Sequence, residues 1–337
     1  MKARGAAIQG GLALAGLVAA YATWQRPREA ARAEAVELLS ATRQSLEQVR
    51  FDDGTRFVVV ARQGGASSRL LTTRGFLPGR RPVVDAGVTL SDGGLPPEPP
   101  PTRETFASDR AEGLFARFSP LEATRALGVL PADKLDELGL VGSARHLEVT
   151  VAGQPHRYLA STPQPGLLGT YLQDLTSQQV YLAPSGLLTE LDPASEVLVD
   201  RRLHTFRLPE VDGLVLTAEG KTAALVQSNA EVPATARLAR AATPDRPDEL
   251  ARVWHDKVWS RLVVTQVLGR GERPGAGEPK VGLRVDYTQR GSARGFLELG
   301  VDPAGGTWAR SENTAGWVGV HQGSDELIGE GRKLLPP

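Results

Sequence analysis

Five histidines are the residues of this chain best suited to move protons or hold a metal: His146, His156, His204, His255 and His321. None belongs to a His-x-x-x-His or His-Glu-x-x-His array, the spacings that place two imidazoles on one helix face around zinc. His146 and Glu148 stand two apart on an expected strand and therefore share a face. They read either as a surface pair or as half of a metal site completed from a distance. Gly220-Lys221-Thr222 has the tail of a phosphate-binding loop, but that motif needs a glycine five residues before Gly220, where Val215 stands. Without it the backbone cannot cradle phosphates, and a strand–turn–strand hairpin is the better reading. Ser292 follows Gly291 but lacks the flanking pattern of a nucleophile elbow. With no cysteine in 337 residues, disulfides, thiolate metal sites and cysteine nucleophiles are excluded together. The sequence therefore predicts no catalytic residue, no cofactor-binding residue and no metal ligand.

Aromatic residues remain as candidates for recognition. Trp254 and Trp259, with His255 and Asp256 between them, lie on an expected helix from Asp245 to Leu268. Leu250, Val253, Trp254, Val258, Leu262 and Thr265 fall on one face of it at helical spacing. Trp254 reads as a core residue there, and His255 and Asp256 as solvated. Trp308 and Trp317 lie on expected strands, as do Tyr158, Tyr171 and Tyr181. Tryptophan is favoured where binding energy concentrates, so Trp254, Trp259, Trp308 and Trp317 are taken as candidate partner-binding residues. The competing use of these rings is the core.

These residues need elements to position them. Lys plus Arg equals Asp plus Glu at 39 each, so the basic excess of a nucleic-acid-binding protein is absent. No charged residue stands between Arg4 and Arg26. A helix over that stretch spans about 30 Å, one hydrocarbon thickness. Residues 1–28 are therefore expected to be a transmembrane anchor with the body outside the cytoplasm; the alternative is a signal segment cleaved near Ala22. Residues 29–90 are expected to hold a short helix and a small hairpin, Val49–Phe51 and Phe57–Val60, turning at Asp52-Asp53-Gly54-Thr55. Residues 91–104 form a proline-rich linker. Residues 105–230 are expected to be a first β-rich module with helices, and 231–337 a long helix with a second module. The expected fold class is thus α+β: an N-terminal transmembrane helix, then a mostly antiparallel β-rich body with short packing helices, in two related modules. The modules are suggested by an order that recurs: Leu147 to Leu203 and Val281 to Leu334 both read strand, turn, strand, strand, strand, helix.

Several segments carry a family resemblance: Phe118-Ser-Pro-Leu-Glu-Ala-Thr-Arg-Ala-Leu-Gly128, Leu135-Asp-Glu-Leu-Gly-Leu140, Arg145-His-Leu-Glu-Val149, Val180-Tyr-Leu182 and Asp200-Arg-Arg-Leu203. Together they resemble the bacterial domain of unknown function 4340 family over roughly residues 36–335. The resemblance implies a protein anchored in the bacterial inner membrane with its body in the periplasm. It implies an accessory or scaffold subunit of a gliding-motility-type ABC transport complex, beside a permease and an auxiliary subunit. It supplies no catalytic residue. The alternative expectation is a periplasmic binding module for a cell-envelope glycan or peptide, which requires a concave apolar pocket with aromatics and a few converging polar groups.

Overall fold

The computed structural model describes residues 35–63, 69–78, 102–163, 169–184, 186–229, 231–232, 235–321 and 323–337. The membrane segment expected over residues 1–28 lies outside the described residues, as does most of the proline-rich linker. Among the described residues no helix is long and apolar enough to cross a membrane. The expected architecture is corrected accordingly: what the structure shows is a pair of large antiparallel sheets with a few short helices, and a transmembrane helix is not one of its elements. The helix expected within residues 29–48 is also replaced, by strands β1 (Val36–Leu39) and β2 (Leu46–Asp52). Alternating burial, with Leu46, Val49 and Phe51 turned inward, decides for strand there.

The first sheet has nine strands in the order β5-β4-β3-β2-β8-β9-β10-β11-β7. Its elements are β2, β3 (Arg56–Arg62), β4 (Leu70–Phe76), β5 (Arg103–Phe106), β7 (Arg125–Val129), β8 (Arg145–Val151), β9 (Gln154–Ala160), β10 (Thr170–Asp174) and β11 (Gln179–Ala183). β1 pairs separately with β6 (Leu121–Ala123). Helix α1 (Asp109–Arg117) buries Ala111, Leu114 and Phe115 against this sheet, and α2 (Ala132–Glu137) precedes β8. Strands from both sides of the proline-rich segment share this one sheet, since β2 pairs with β8 from Leu46↔Val151 to Asp52↔His146. Of residues 29–90, the described residues 35–63 and 69–78 supply four strands to the first sheet and its satellite.

The second sheet has eight strands in the order β14-β13-β12-β16-β17-β18-β19-β15. They are β12 (Gly213–Ala218), β13 (Lys221–Ser228), β14 (Arg237–Arg240), β15 (Val264–Val267), β16 (Lys280–Gln289), β17 (Ser292–Val301), β18 (Thr307–Ser311) and β19 (Val318–Val320). Helices α3 (Glu249–Arg261) and α4 (Asp325–Arg332) cover one face and bury Trp254, Val258, Leu327 and Ile328. The helix expected over Asp245–Leu268 is shorter at both ends. Asp248 is the N-cap, accepting from the Ala251 N–H at 3.0 Å. At the other end the β-branched run Val263-Val264-Thr265 leaves the helix for strand β15.

Set side by side, the two strand orders are the same: β4-β3-β2-β8-β9-β10-β11-β7 matches β14-β13-β12-β16-β17-β18-β19-β15. In both, a helix follows the first three consecutive strands of the chain order, ahead of the edge strand β7 or β15. The repeating unit therefore begins well upstream of Leu147 and Val281, at β2 and β12, and β5 is an addition to the first copy. Matching turns share a conformation. Ala152-Gly153 between β8 and β9 has φ of 49° and 76°, and Arg290-Gly291 between β16 and β17 has 51° and 75°. These left-handed pairs make the tight hairpins whose twist suits antiparallel strands. Glu219-Gly220, with φ of 52° and 78°, is another, so Gly220-Lys221-Thr222 is a hairpin corner and not a phosphate loop.

The copies meet around a buried polar knot. The Asp200 carboxylate and Asn313 side chain are almost fully buried, at 3% and 1% exposure. Asn313 Nδ2 donates to Asp200 Oδ2 at 3.1 Å and to the Arg202 carbonyl at 2.6 Å. Its Oδ1 accepts from Arg69, whose guanidinium lies 3.6 Å from the centre of the Phe106 ring. Arg103–Glu272 and Arg270–Glu104 pairs flank the knot on the β5 side.

Candidate functional site

Residues 201–209 leave the knot and run beside α3. Residues 193–200 before it are a run of turns, and the segment itself holds no strand and ends in a single 3-10 turn at Leu208–Glu210. The segment is held instead by side chains. Glu312, just past β18, gathers three donors: His204 Nδ1 at 3.2 Å from each carboxylate oxygen, the Thr205 N–H at 3.2 Å, and the Phe296 N–H at 3.1 Å. Ser311 Oγ donates to the Leu203 carbonyl.

Around this anchor five rings assemble. His204 lies 4.7 Å from Phe206, 5.1 Å from Trp259 and 5.1 Å from Tyr287, centre to centre. Trp259 Nε1 donates to His255 Nε2 at 3.1 Å, beside the buried Tyr287 ring, whose centre lies 6.1 Å from that of Trp259. Accepting that bond places the ring proton of neutral His255 on Nδ1. Burial, with the nearby His204 adding to it, pushes the His255 pKa down to about 4. Burial pushes that of the Tyr287 phenol up, with the charge of Glu312 adding to it. His255, read from sequence as solvated, is in fact 3% exposed: it sits on the core side of α3, because the stripe of apolar residues is wider than the residues that identified it.

A cleft of about 270 Å³ opens between this segment and the C-terminal half of α3. Leu203, Phe206, Val258 and Leu262 give it apolar walls, while Trp259 and His204 bring polar ring atoms to it. With Nδ1 committed to Glu312, His204 has only Nε2 left, and Nε2 makes no hydrogen bond among the described residues. Arg201 and Arg202 stand at the rim, paired to Glu196 and to Asp109 and Asp200. A carboxylate-held histidine is half of an acid–base device; among the described residues that line this cleft none is a serine, threonine, lysine or cysteine. The cleft offers ring faces for stacking, apolar walls and one oriented imidazole nitrogen.

The four candidate tryptophans are not brought together. Trp254, Trp308 and Trp317 are buried, at 2%, 8% and 3% exposure. Their indole N–H groups are spent internally on the Leu327 carbonyl, Asp302 and Glu278, at 2.8, 2.9 and 2.9 Å. That corrects their placement as partner-binding residues: they are core. Trp259 alone of the four lines the cleft. His146 and Glu148 likewise go separate ways, to Asp52 at 3.3 Å and to Arg157 at 2.7 Å. Among the described residues no group of three His, Asp or Glu side chains is placed to hold a metal ion. Sequence reasoning named His204 only as one of five scattered histidines and missed Glu312, because their meeting across 108 residues leaves no local signal.

Comparison with family models, with curated proteins and with solved structures finds no match to this chain.

Proposed function

We propose that this chain is a binding protein whose cleft beside α3 receives a short segment of a larger partner, a peptide or a glycan. The observation that carries this reading is the wall formed by Trp259, Phe206 and His204 around a 270 Å³ opening. Such a cleft is somewhat smaller than the roughly 300–1,000 Å³ typical of sites that engulf a whole ligand. It suits one side chain or one sugar ring presented by something larger. In an assembly of the kind implied by the resemblance, that segment belongs to a permease or an auxiliary subunit of an ABC-type transport complex, and this chain acts as its accessory subunit.

The test is site-specific photocrosslinking of the full-length chain in its native host. A benzophenone amino acid replaces Arg201 at the cleft rim, and a second version carries it at the exposed Val129 of the first sheet. The reading expects a discrete crosslinked species from position 201 that is absent from position 129 and disappears when Trp259→Ala is added. Identical crosslinking from both positions, or a position-201 product indifferent to Trp259→Ala, would sink it. Mass spectrometry of the product separates peptide from glycan.

A further inference from the structure

The two copies differ at the place where the cleft lies. In the first, the chain approaches its sheet through β1, which pairs antiparallel with β6, the strand between α1 and β7. Val36 faces Ala123, Glu37 faces Glu122 and Leu39 faces Leu121. That ladder closes the copy, and Leu39, Leu121 and Ala123 are buried beneath it. Leu39 stands seven residues ahead of Leu46, where β2 begins; Phe206 stands seven ahead of Gly213, where the matching strand β12 begins. Residues 203–206 are therefore the second copy's counterpart of β1. The counterpart of β6 is reduced to Leu262 and Val263, the only residues between α3 and β15. In the first copy Pro120 keeps helical structure away from β6. No proline interrupts α3, which runs on to Arg261 and leaves too little chain for a strand before β15. The two counterparts form no ladder with each other. The cleft lies between them instead, with Leu203, His204 and Phe206 on one side and Leu262 on the other.

Main-chain bonding along residues 203–206 alternates. The Leu203 carbonyl and the Thr205 N–H are taken, by Ser311 and Glu312. The N–H and C=O groups of His204 and Phe206 make no hydrogen bond among the described residues. One set is held to the end of β18 and the other is free to pair, as at the edge of a sheet. Water can satisfy such groups and selects no occupant. The selection comes from the first copy, which meets the same need with a strand carrying buried Leu121 and Ala123 two residues apart. We propose that the cleft accepts an extended peptide of a partner protein as an added strand. The peptide pairs along His204–Phe206 as β6 pairs with β1, and sets an aliphatic side chain against Phe206, Trp259 and Leu262. The proposal rests on the reading of the cleft as a binding site and narrows its occupant to a peptide, since a glycan has no main-chain ladder to offer.

The experiment is an NMR titration of the full-length chain, to millimolar peptide, with acetyl-Ser-Pro-Leu-Glu-Ala-Thr-amide, the sequence of residues 119–124 that contains β6. Strand addition expects the His204 and Phe206 amide resonances to move downfield and saturate, as amides do on gaining a hydrogen bond. That of Thr205, already held by Glu312, stays in place. A peptide with Leu121→Asp, and the protein variant Trp259→Ala, are each expected to abolish the response. Two further peptides carry one N-methyl group each, on the leucine or on the glutamate. A ladder uses one edge of the peptide, so one of the two is expected to bind about tenfold more weakly, the worth of one hydrogen bond, and the other as before. No movement of His204 and Phe206, a response indifferent to Leu121→Asp, or equal binding of the two methylated peptides overturns the proposal. If the peptide fails while position 201 still crosslinks to a glycan, strand addition falls and the cleft remains a binding site. If both fail, the reading of the cleft falls with it.

Discussion

The Trp259 indole donates its N–H to His255 Nε2 at 3.1 Å, one helical turn back along α3. The bond joins the residue that lines the cleft to one buried on the core side of α3, and it exists only while His255 is neutral. A protonated imidazole would turn an N–H toward an N–H. Burial opposes that charge, and so does His204. The folded chain therefore binds its His255 proton only near pH 4, against 6.5 for a free imidazole. Stability from this group is complete above pH 6.5, is lost as pH falls from there to about 4, and changes no further below. A shift of that size corresponds to about 3 kcal/mol. Urea unfolding at pH 7, 5.5 and 4.5, compared with His255→Gln, checks it: the difference between the two proteins shrinks with falling pH. A constant difference across that range would show that His255 is not held neutral.

Glu312 controls where His204 points, and Gly295 on β17 makes room for Glu312. A Cβ at position 295 would lie 2.5 Å from Glu312 Cδ and 2.7 Å from Phe206 Cε1, with neither able to withdraw without giving up its place in the cluster. Gly295→Ala is expected to cost about 1–3 kcal/mol, as overpacked sites do, and to break the Phe296 N–H bond to the carboxylate. The His204 ring resonances, followed by NMR, should move in this variant as they do in Glu312→Gln. A Gly295→Ala protein with wild-type stability and an undisturbed His204 spectrum would rule out this coupling.

What the sequence makes legible is local. The Asp52-Asp53-Gly54 and Ala152-Gly153 corners, flanked by alternating apolar residues, mark real hairpins. Strand β14, Arg-Leu-Ala-Arg, carries no β-branched residue and is a strand because β13 pairs with it. Strand β15 hides inside a helical period, since Leu262 and Thr265 prolong the apolar stripe of α3 after the backbone has turned away. The site is illegible for the same reason. His204, Glu312, Trp259 and Tyr287 come from four separate stretches, joined by the order in which the strands pair. The tryptophans mislead because residue type alone does not distinguish a ring in the core from a ring in a cleft.

The repeated hairpin corner offers a test of backbone strain. Ala152 holds φ of 49°, a left-handed conformation that costs a residue with a Cβ about 1–2 kcal/mol and that asparagine tolerates better. Its side chain is exposed, and its N–H bond to the Ser45 carbonyl is a backbone contact that any non-proline residue keeps. Ala152→Asn is expected to gain about 0.5–1 kcal/mol, and Ala152→Val to lose at least as much. Thermal melts in which Ala152→Val is the more stable of the two variants would refute the left-handed assignment at this turn.

The polar knot at Asp200 and Asn313 decides whether the two copies act as one body. Asn313 satisfies three groups at once: Asp200 Oδ2, the Arg202 carbonyl and the Arg69 guanidinium. Of its partners, the Asp200 carboxylate is one that water reaches poorly, at 3% exposed. Its Arg202 partner also begins the segment that carries His204 to the cleft. Asn313→Ala takes one hydrogen bond from each of these groups, leaving Asp200 to Arg202 at 2.9 Å and Arg69 at 3.8 Å, and an under-satisfied buried polar atom costs more than the bond itself contributes. The expected loss is about 2–4 kcal/mol. It should come with faster amide exchange over residues 200–206, while the centres of both sheets, at Val49 and Val285, keep their protection because their ladders do not touch the knot. Asn313→Asp is expected to be worse than Ala, because it sets a second carboxylate against Asp200. If exchange instead rises uniformly through both sheets, the knot is part of a single cooperative core, and the cleft segment has no independent attachment for it to control.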